Sequence, residues 1–188
     1  IPLPKEESDL AAFEKAVRLA REAGATVARA VLMGTRRYEV FSSLAEFREF
    51  RAAGERRLAM VEPFLKKHRL RLAIENHKDL LAAELGGLLG KFSSEWIGAL
   101  VDTGNNIALI EEPHAVVDAL APFALSVHLK DMAVQEWEQG FLLSEVPCGT
   151  GFLDLPRMIA TLRGANPAIV FNLEMATRDP LRIPCLTE

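Results

Sequence analysis

Apolar residues follow two different patterns along the chain. Short runs that are almost continuously apolar, as in buried strands, lie between longer segments whose apolar residues recur every three or four positions, as in amphipathic helices. Six strands are predicted, at 25–34, 69–76, 96–104, 123–131, 142–147 and 168–175. Helices are predicted at 8–24, 43–68, 80–90, 113–122 and 155–164. This order predicts parallel strands joined by crossover helices, which is an α/β fold.

Capping signals mark where several of the predicted helices begin. Ser43 with Glu46 three residues later forms a capping-box pattern, and Pro113 suits a first helical turn. Asp79 and Asp154 are predicted to cap the helices that follow them. The pattern therefore defines helix starts as well as helix positions.

The six predicted strands suit two architectures. One is an open, doubly wound sheet, and the other is a TIM (β/α)8 barrel whose first two βα units are missing from this chain. The chain begins with Ile1 and not with Met, so an incomplete N-terminus is expected. No Pro-rich or Gly-rich linker divides the sequence, and residues 1–188 are predicted to form one domain.

Composition narrows the classes of partner. The chain is 49% hydrophobic with a formal net charge of −4, and it contains no long basic block, so nucleic acid is not an expected partner. No apolar run is long enough for a membrane span, and no signal peptide is visible. Cys148 and Cys185 form no CxxC pair, and a reduced, cytoplasmic setting is expected.

Four polar residues occupy the carboxyl ends of predicted strands. They are Glu75, Asp102, His128 and Glu174. Their spacing corresponds to one βα repeat for the first two steps and to two repeats for the last. Since the carboxyl ends of barrel strands surround one mouth, the four side chains are expected to converge there. Three carboxylates and an imidazole form a hard, oxygen-rich set that suits Mn²⁺ best, with Mg²⁺, Co²⁺ or Zn²⁺ as alternatives.

Several short motifs together resemble the xylose-isomerase-like TIM-barrel superfamily of sugar isomerases, epimerases and dehydratases. They are AIENH, VDTGN, VHLKD, CGTGFLDLPRM and FNLEMATRDP, spread over about residues 26 to 180. The resemblance implies a barrel and one divalent metal ion bound by Glu75, Asp102, His128 and Glu174. It also implies a small carbohydrate as the substrate.

Two departures from the family pattern limit what the resemblance implies. Asn105 stands where the epimerase and endonuclease branches usually carry a histidine, and Val134 stands where epimerases tend to carry an arginine. The multi-metal endonuclease branch also needs further histidine ligands, whereas His68 and His114 lie on predicted helices. A nuclease is therefore disfavoured.

The favoured function is a metal-dependent isomerase or epimerase of a sugar or sugar phosphate. Glu75 or Glu174 would remove a proton from the carbon beside a carbonyl, giving an enediolate. General acid–base catalysis of this kind accelerates a reaction roughly 10²–10⁴-fold. Loss of a β-hydroxyl from the same intermediate would instead make the protein a dehydratase of a cyclic polyol or keto acid. A non-catalytic carbohydrate-binding barrel is a third alternative, disfavoured because a sensor needs no acid–base pair.

Other polar residues near the strand ends are candidate substrate contacts. They are His77, Asn105 and Lys130, with solvation as the alternative for His77 and a buried ion pair as the alternative for Lys130. Gly149 and Gly151 could leave backbone N–H groups free for a phosphate, although a tight turn is favoured. Assembly into a homo-oligomer stays open.

Overall fold

The computed structural model describes residues 1–175 and 179–186, and its main sheet consists of five parallel strands. In spatial order these are β1 (Val27–Ala30), β2 (Arg71–Glu75), β3 (Ile97–Asp102), β4 (Ala124–Leu129) and β7 (Val170–Leu173). A second, antiparallel sheet contains β5 (Asp131–Trp137), β6 (Gly140–Val146) and β8 (Leu181–Pro184). The parallel sheet is part of an α/β barrel, with β1 and β7 as its edge strands.

Helices connect the parallel strands and cover one face of the sheet. They are α1 (Leu10–Glu22), α2 (Arg37–Val40), α3 (Leu44–His68), α4 (Ala82–Phe92), α5 (Pro113–Leu120) and α6 (Leu155–Ala165). Apolar residues at helical spacing, such as Leu58, Val61 and Leu65 of α3, are fully buried in the core. Every residue of β3 is buried, which explains why its sequence is a continuous apolar run with one polar residue at its end.

Strand register brings the ends of the central strands to one level. Asp102 pairs with His128 across β3 and β4, and Leu129 at the end of β4 pairs with Leu173 at the end of β7. Glu75 is the last residue of β2, and Glu174 directly follows β7. Parallel strands all point the same way, so the polar residues that end them meet at a single edge.

The prediction of a sixth parallel strand at 142–147 is wrong. This segment lies in β6, which pairs antiparallel with β5 and with β8. Only Lys130 separates β4 from β5, and only two residues separate β5 from β6, so there is no room for a crossover helix. The chain therefore leaves the parallel sheet as a hairpin after β4 and returns to it through α6 and β7.

Most predicted helix starts are confirmed, and one is corrected. Ser43 accepts a hydrogen bond from the Glu46 N–H, Pro113 occupies the first turn of α5, and Asp154 accepts from the Arg157 N–H. Asp79 does not cap α4, because its carboxylate accepts from backbone N–H groups of the preceding loop, where it is buried.

Asp131 organises the glycine-rich loop that follows the hairpin. Its fully buried carboxylate accepts hydrogen bonds from four backbone N–H groups, those of Met132, Gly149, Gly151 and Leu153. The N–H groups of the two glycines are therefore engaged within the protein, and the idea that they bind a phosphate is wrong. A Cβ at Gly151 would also collide with the Asp131 carboxylate, which accounts for glycine at this position.

None of the helices in the described part of the chain combines the length and apolar character needed to cross a bilayer.

Removal of the Asp131 carboxylate should destabilise the fold much more than removal of an exposed helix cap. We expect Asp131→Ala to lower the free energy of unfolding by about 3 kcal/mol, because it leaves several enclosed N–H groups without an acceptor. The control Asp154→Ala removes one exposed cap and should cost about 1 kcal/mol. Urea denaturation followed by circular dichroism measures both, and equal losses would contradict the role assigned to Asp131.

Candidate metal centre

Four side chains from four neighbouring strand ends converge at the carboxyl edge of the sheet. Glu75, Asp102, His128 and Glu174 each offer one ligand atom, and these atoms all lie within 4.8 Å of one another. Glu75 and Asp102 are almost completely buried, whereas the side chain of Glu174 is 39% exposed. Two of the three carboxylates are therefore enclosed, and the third is accessible to solvent.

Buried amide groups hold the end of β2 against the end of β3. Asn76 accepts a hydrogen bond from the Asp102 N–H at 2.8 Å and donates to the Asp102 carbonyl oxygen at 3.0 Å. Its amide also donates to Asn106 at 3.1 Å. The Asn76 side chain thus bonds to the backbone of Asp102 much as another residue of β2 would if that strand continued. These hydrogen bonds fix Asp102 relative to Glu75.

A second set of hydrogen bonds fixes Asp102 and the end of β4. Asp102 Oδ1 accepts from the Gly104 N–H at 2.9 Å and from the Asn105 N–H at 2.8 Å. The Thr103 hydroxyl donates to the Lys130 carbonyl oxygen at 2.8 Å and accepts from the Lys130 N–H at 3.0 Å. One oxygen of Asp102 is therefore used for positioning, and Oδ2 is left for another role.

Arg29 of β1 is a site residue that sequence reasoning missed. Its Nε and Nη2 atoms both contact Oε2 of Glu75, while Oε1 of Glu75 lies 3.4 Å from His128 Nδ1. The available signal was a single arginine inside the predicted apolar strand 25–34. By holding one carboxylate oxygen, Arg29 orients the other towards the cluster.

Lys130 lies among three carboxylates. Its Nζ is 2.9 Å from Asp102 Oδ2, 3.0 Å from Glu174 Oε2 and 3.2 Å from Glu145 Oε1, and its side chain is only 4% exposed. Burial of the ammonium opposes its charge, but the neighbouring Asp102 and the other carboxylates outweigh this and raise the pKa of Lys130. The observed geometry is the buried ion pair named above as an alternative, and a substrate contact stays a prediction.

The cluster strongly perturbs its own protonation. Burial disfavours a charged His128, but the adjacent Glu174 and Glu75 carboxylates prevail and raise the pKa of His128 to about 9. Burial raises the pKa of Asp102 to about 6, against the opposing effect of Lys130. Glu174, beside His128 and Lys130, has a lowered pKa. Without a metal ion, protonated His128 and Lys130 thus compensate the negative charge of the carboxylates.

The donor set fits a divalent metal ion. Asp102 Oδ2 and His128 Nδ1 are both buried, and neither has a partner at hydrogen-bonding angles among the described residues, although charged groups lie nearby. Buried polar atoms without such partners are uncommon and indicate a missing ligand or ion. Carboxylate oxygens with one imidazole nitrogen suit Mn²⁺ or Mg²⁺, and Zn²⁺ less specifically.

The other candidate substrate contacts lie around this cluster. Asn105 is buried, donates to Glu75 Oε1 at 3.2 Å and accepts from Lys78 Nζ at 2.6 Å. His77 is partly buried, its Nδ1 has no partner among the described residues, and burial lowers its pKa. His68 pairs with Glu14 on the helical side of the fold.

Comparison with known proteins identifies the family and leaves the reaction open. A family model described as "Xylose isomerase-like TIM barrel" matches residues 2–184. A curated relative, 3-oxo-isoapionate decarboxylase of Pectobacterium atrosepticum, is 30% identical over 108 residues, which cover 56% of this chain and 39% of the relative. The chain spans less than half the length of the curated relatives that it matches.

Solved structures share the fold at low sequence identity. A xylose isomerase-like TIM-barrel protein from Mycobacterium smegmatis, in complex with magnesium, matches with a TM-score of 0.74 and 16% identity, covering 93% of this chain and 62% of the other. The probable 3-DHS dehydratase AsbF from Bacillus anthracis matches with a TM-score of 0.70 and 17% identity, covering 93% and 68%.

Metal binding should release protons and strengthen with pH. Since a ligating imidazole must be neutral and the pKa of His128 is raised to about 9 without metal, Mn²⁺ binding at pH 7 should displace about one proton. Affinity should then rise about tenfold per pH unit up to that pKa. Isothermal titration calorimetry in two buffers of different ionisation enthalpy counts the protons, and a count of zero at pH 7 would contradict this view of His128.

Proposed function

Because the chain belongs to the xylose isomerase-like TIM-barrel family, we propose that it is a divalent-metal-dependent enzyme that isomerises or epimerises a small sugar or sugar phosphate. The observation that carries the proposal is the convergence of three carboxylates and one imidazole, those of Glu75, Asp102, Glu174 and His128, whose ligand atoms all lie within 4.8 Å of one another. In this proposal the four residues are the ligands of one ion, with Mn²⁺ favoured over Mg²⁺, Co²⁺ and Zn²⁺.

The two glutamates have environments that suit different parts of proton transfer. Glu75 is enclosed, and one of its oxygens is held by Arg29, so its remaining oxygen has a defined direction. The side chain of Glu174 is partly exposed, so a substrate carbon can approach it. We assign Glu174 to removing a proton beside the substrate carbonyl and Glu75 to the opposite side.

A bound divalent ion would supply electrostatic polarisation of the substrate carbonyl and its neighbouring hydroxyl. Side chains of the protein would bind and orient the substrate. Lys130 can donate to a substrate oxygen from its position beside Glu174, and Asn105 and His77 can orient hydroxyl groups at the rim. Return of the proton to the other face gives an epimer, and its return to the neighbouring carbon gives an aldose–ketose shift.

A lyase is the second candidate. The 30% identity to a decarboxylase and the fold shared with a probable dehydratase favour it. The same residues could stabilise the enediolate that remains when carbon dioxide leaves, or the enediolate from which a β-hydroxyl is then lost as water. A non-catalytic carbohydrate-binding barrel is the third candidate. A reducing, cytoplasmic setting is part of this proposal, on the ground that the sequence contains no CxxC pair.

His128→Ala should weaken metal binding while the fold survives. His128 lies at the carboxyl end of β4 and supplies one of four ligands, so we expect Mn²⁺ affinity to fall by at least about a hundredfold. The control His114→Ala changes the same residue type on α5 and should leave affinity unchanged. Calorimetric titration with Mn²⁺ measures both, and unaltered affinity in His128→Ala would remove it from the ligand set.

Glu174→Gln should stop proton exchange and keep the metal. Its amide oxygen can still act as a ligand, but it cannot accept a proton, so deuterium incorporation from D₂O into candidate ketoses and keto acids should fall by about 10²-fold or more. Glu138→Gln, an exposed change in the hairpin, is the control. Mass spectrometry and NMR measure the exchange.

The product mass in the same experiment separates the candidates. Unchanged product mass apart from deuterium indicates an isomerase or epimerase, loss of water a dehydratase and loss of carbon dioxide a decarboxylase. Metal binding without any turnover or exchange across the panel would favour the non-catalytic candidate. Full exchange in Glu174→Gln would leave Glu174 as a ligand only.

A further inference from the structure

A pocket of about 310 Å³ opens beside the carboxylate cluster and carries three basic side chains. Arg36 follows β1, Lys78 follows β2, and Arg182 belongs to β8, so three separate elements place a cation on one cavity. Asn105 and Glu145 also line it, and both connect it to the cluster, through Glu75 and Lys130 respectively.

Lys78 is a partly buried cation whose ammonium hydrogen-bonds to a neutral amide. Its Nζ donates to the amide oxygen of Asn105 at 2.6 Å. Burial lowers the pKa of Lys78, which reflects the cost of holding its charge there. The attraction of the Asp102 and Glu145 carboxylates opposes this effect but does not offset it, so a further negative charge beside Lys78 would stabilise the ammonium.

The other two cations also retain unused donors. Arg36 pairs through Nη1 with Glu39, but its Nε is buried and has no hydrogen-bond partner among the described residues. Arg182 is exposed, and its guanidinium lies 5.6 Å from the Trp137 ring without an ion pair to a described residue. Their planar, forked donors match the oxygens of carboxylates and phosphates.

Two acidic side chains, Glu145 and Asp179, also line the pocket, so its cations exceed its carboxylates by one. Glu145 accepts from Lys130 at 3.2 Å, on the side of the cluster, and Asp179 is exposed to solvent.

Backbone contacts hold together the two loops that carry Arg36 and Lys78. The Arg37 N–H donates to the Lys78 carbonyl oxygen at 3.0 Å, which joins the two loops that carry Arg36 and Lys78. Lys78 has φ +66°, a left-handed conformation that is costly for a residue with a Cβ, and the buried Asp79 carboxylate fastens the same loop. Such backbone strain tends to persist at sites that bind a ligand.

From these observations we propose that the pocket beside the cluster binds an anionic group, a carboxylate or a phosphate, on the carbohydrate substrate, through Lys78, Arg36 and Arg182. The inference rests on the function proposed above and narrows the substrate to acidic sugars. Only the Asn105 amide separates Lys78 from Glu75, so the anionic group lies within a few bonds of the reacting carbon.

Three non-reacting polyols of equal chain length test this inference on the Mn²⁺-loaded protein. They are D-gluconate, D-glucitol 6-phosphate and neutral D-glucitol, titrated by calorimetry. Charge-assisted contacts to a half-buried cation should make at least one anionic polyol bind about tenfold or more tightly than glucitol. The tighter of the two anions identifies the group as carboxylate or phosphate. Equal binding of glucitol, or no binding of either anion, overturns the inference.

Variants assign the effect to the pocket. Lys78→Met should remove the preference for the anion, and Arg182→Gln, an exposed change that spares the core, should reduce it severalfold. Lys91→Met, on the exposed face of α4 where Lys91 pairs with Glu55, should leave it intact. A preference that survives both Lys78→Met and Arg182→Gln shows that the anions bind elsewhere, for example to the ion itself, and overturns the inference.

Mn²⁺ titration of the same preparations keeps the two proposals separate. Lys78 is not one of the four proposed ligands, so Lys78→Met should still bind Mn²⁺. Normal metal binding without an anion preference refutes the anion site alone. Failure of every preparation to bind metal refutes the metal-dependent function instead.

Discussion

The structure depends on balancing three carboxylates that the parallel strands bring to one edge of the sheet. Glu75 and Asp102 are almost completely buried, and an isolated charge in such a place would cost several kcal/mol. Lys130, Arg29 and a protonated His128 supply the compensation. The fold therefore carries a charged centre that remains tolerable without a metal ion and has the donor atoms to accept one.

This balance has a chemical consequence for the site. A divalent ion would replace the proton of His128 and take over part of the role of Lys130 in neutralising Asp102. Lys130 Nζ, also 3.0 Å from Glu174, would then be able to turn to a substrate oxygen. The observed ion pairs of Lys130 are therefore compatible with the proposed substrate contact.

Hydrogen bonds between side chains and the backbone make this charged centre rigid. Asn76 and Thr103 link three successive strand ends, and Asp131 folds the glycine-rich loop against the start of the hairpin. The hairpin in turn brings Glu145 to Lys130 and forms one wall of the basic pocket. The hairpin that replaces the predicted sixth parallel strand therefore shapes the space beside the carboxylate cluster.

The amino-acid sequence by itself determined the α/β alternation, most helix starts and the four residues that end the strands, because hydrophobic periodicity, capping and the last polar residue of an apolar run are local features. Only the tertiary structure decided that 142–147 pairs in an antiparallel hairpin and that Arg29 holds Glu75. It also decided that Asp131 accepts the hydrogen bonds of the loop glycines and that Lys78 lines one pocket with two arginines from other segments of the chain. These outcomes depend on which strands are neighbours in the sheets and on which buried side chains contact each other. Such contacts join residues that are far apart in the sequence.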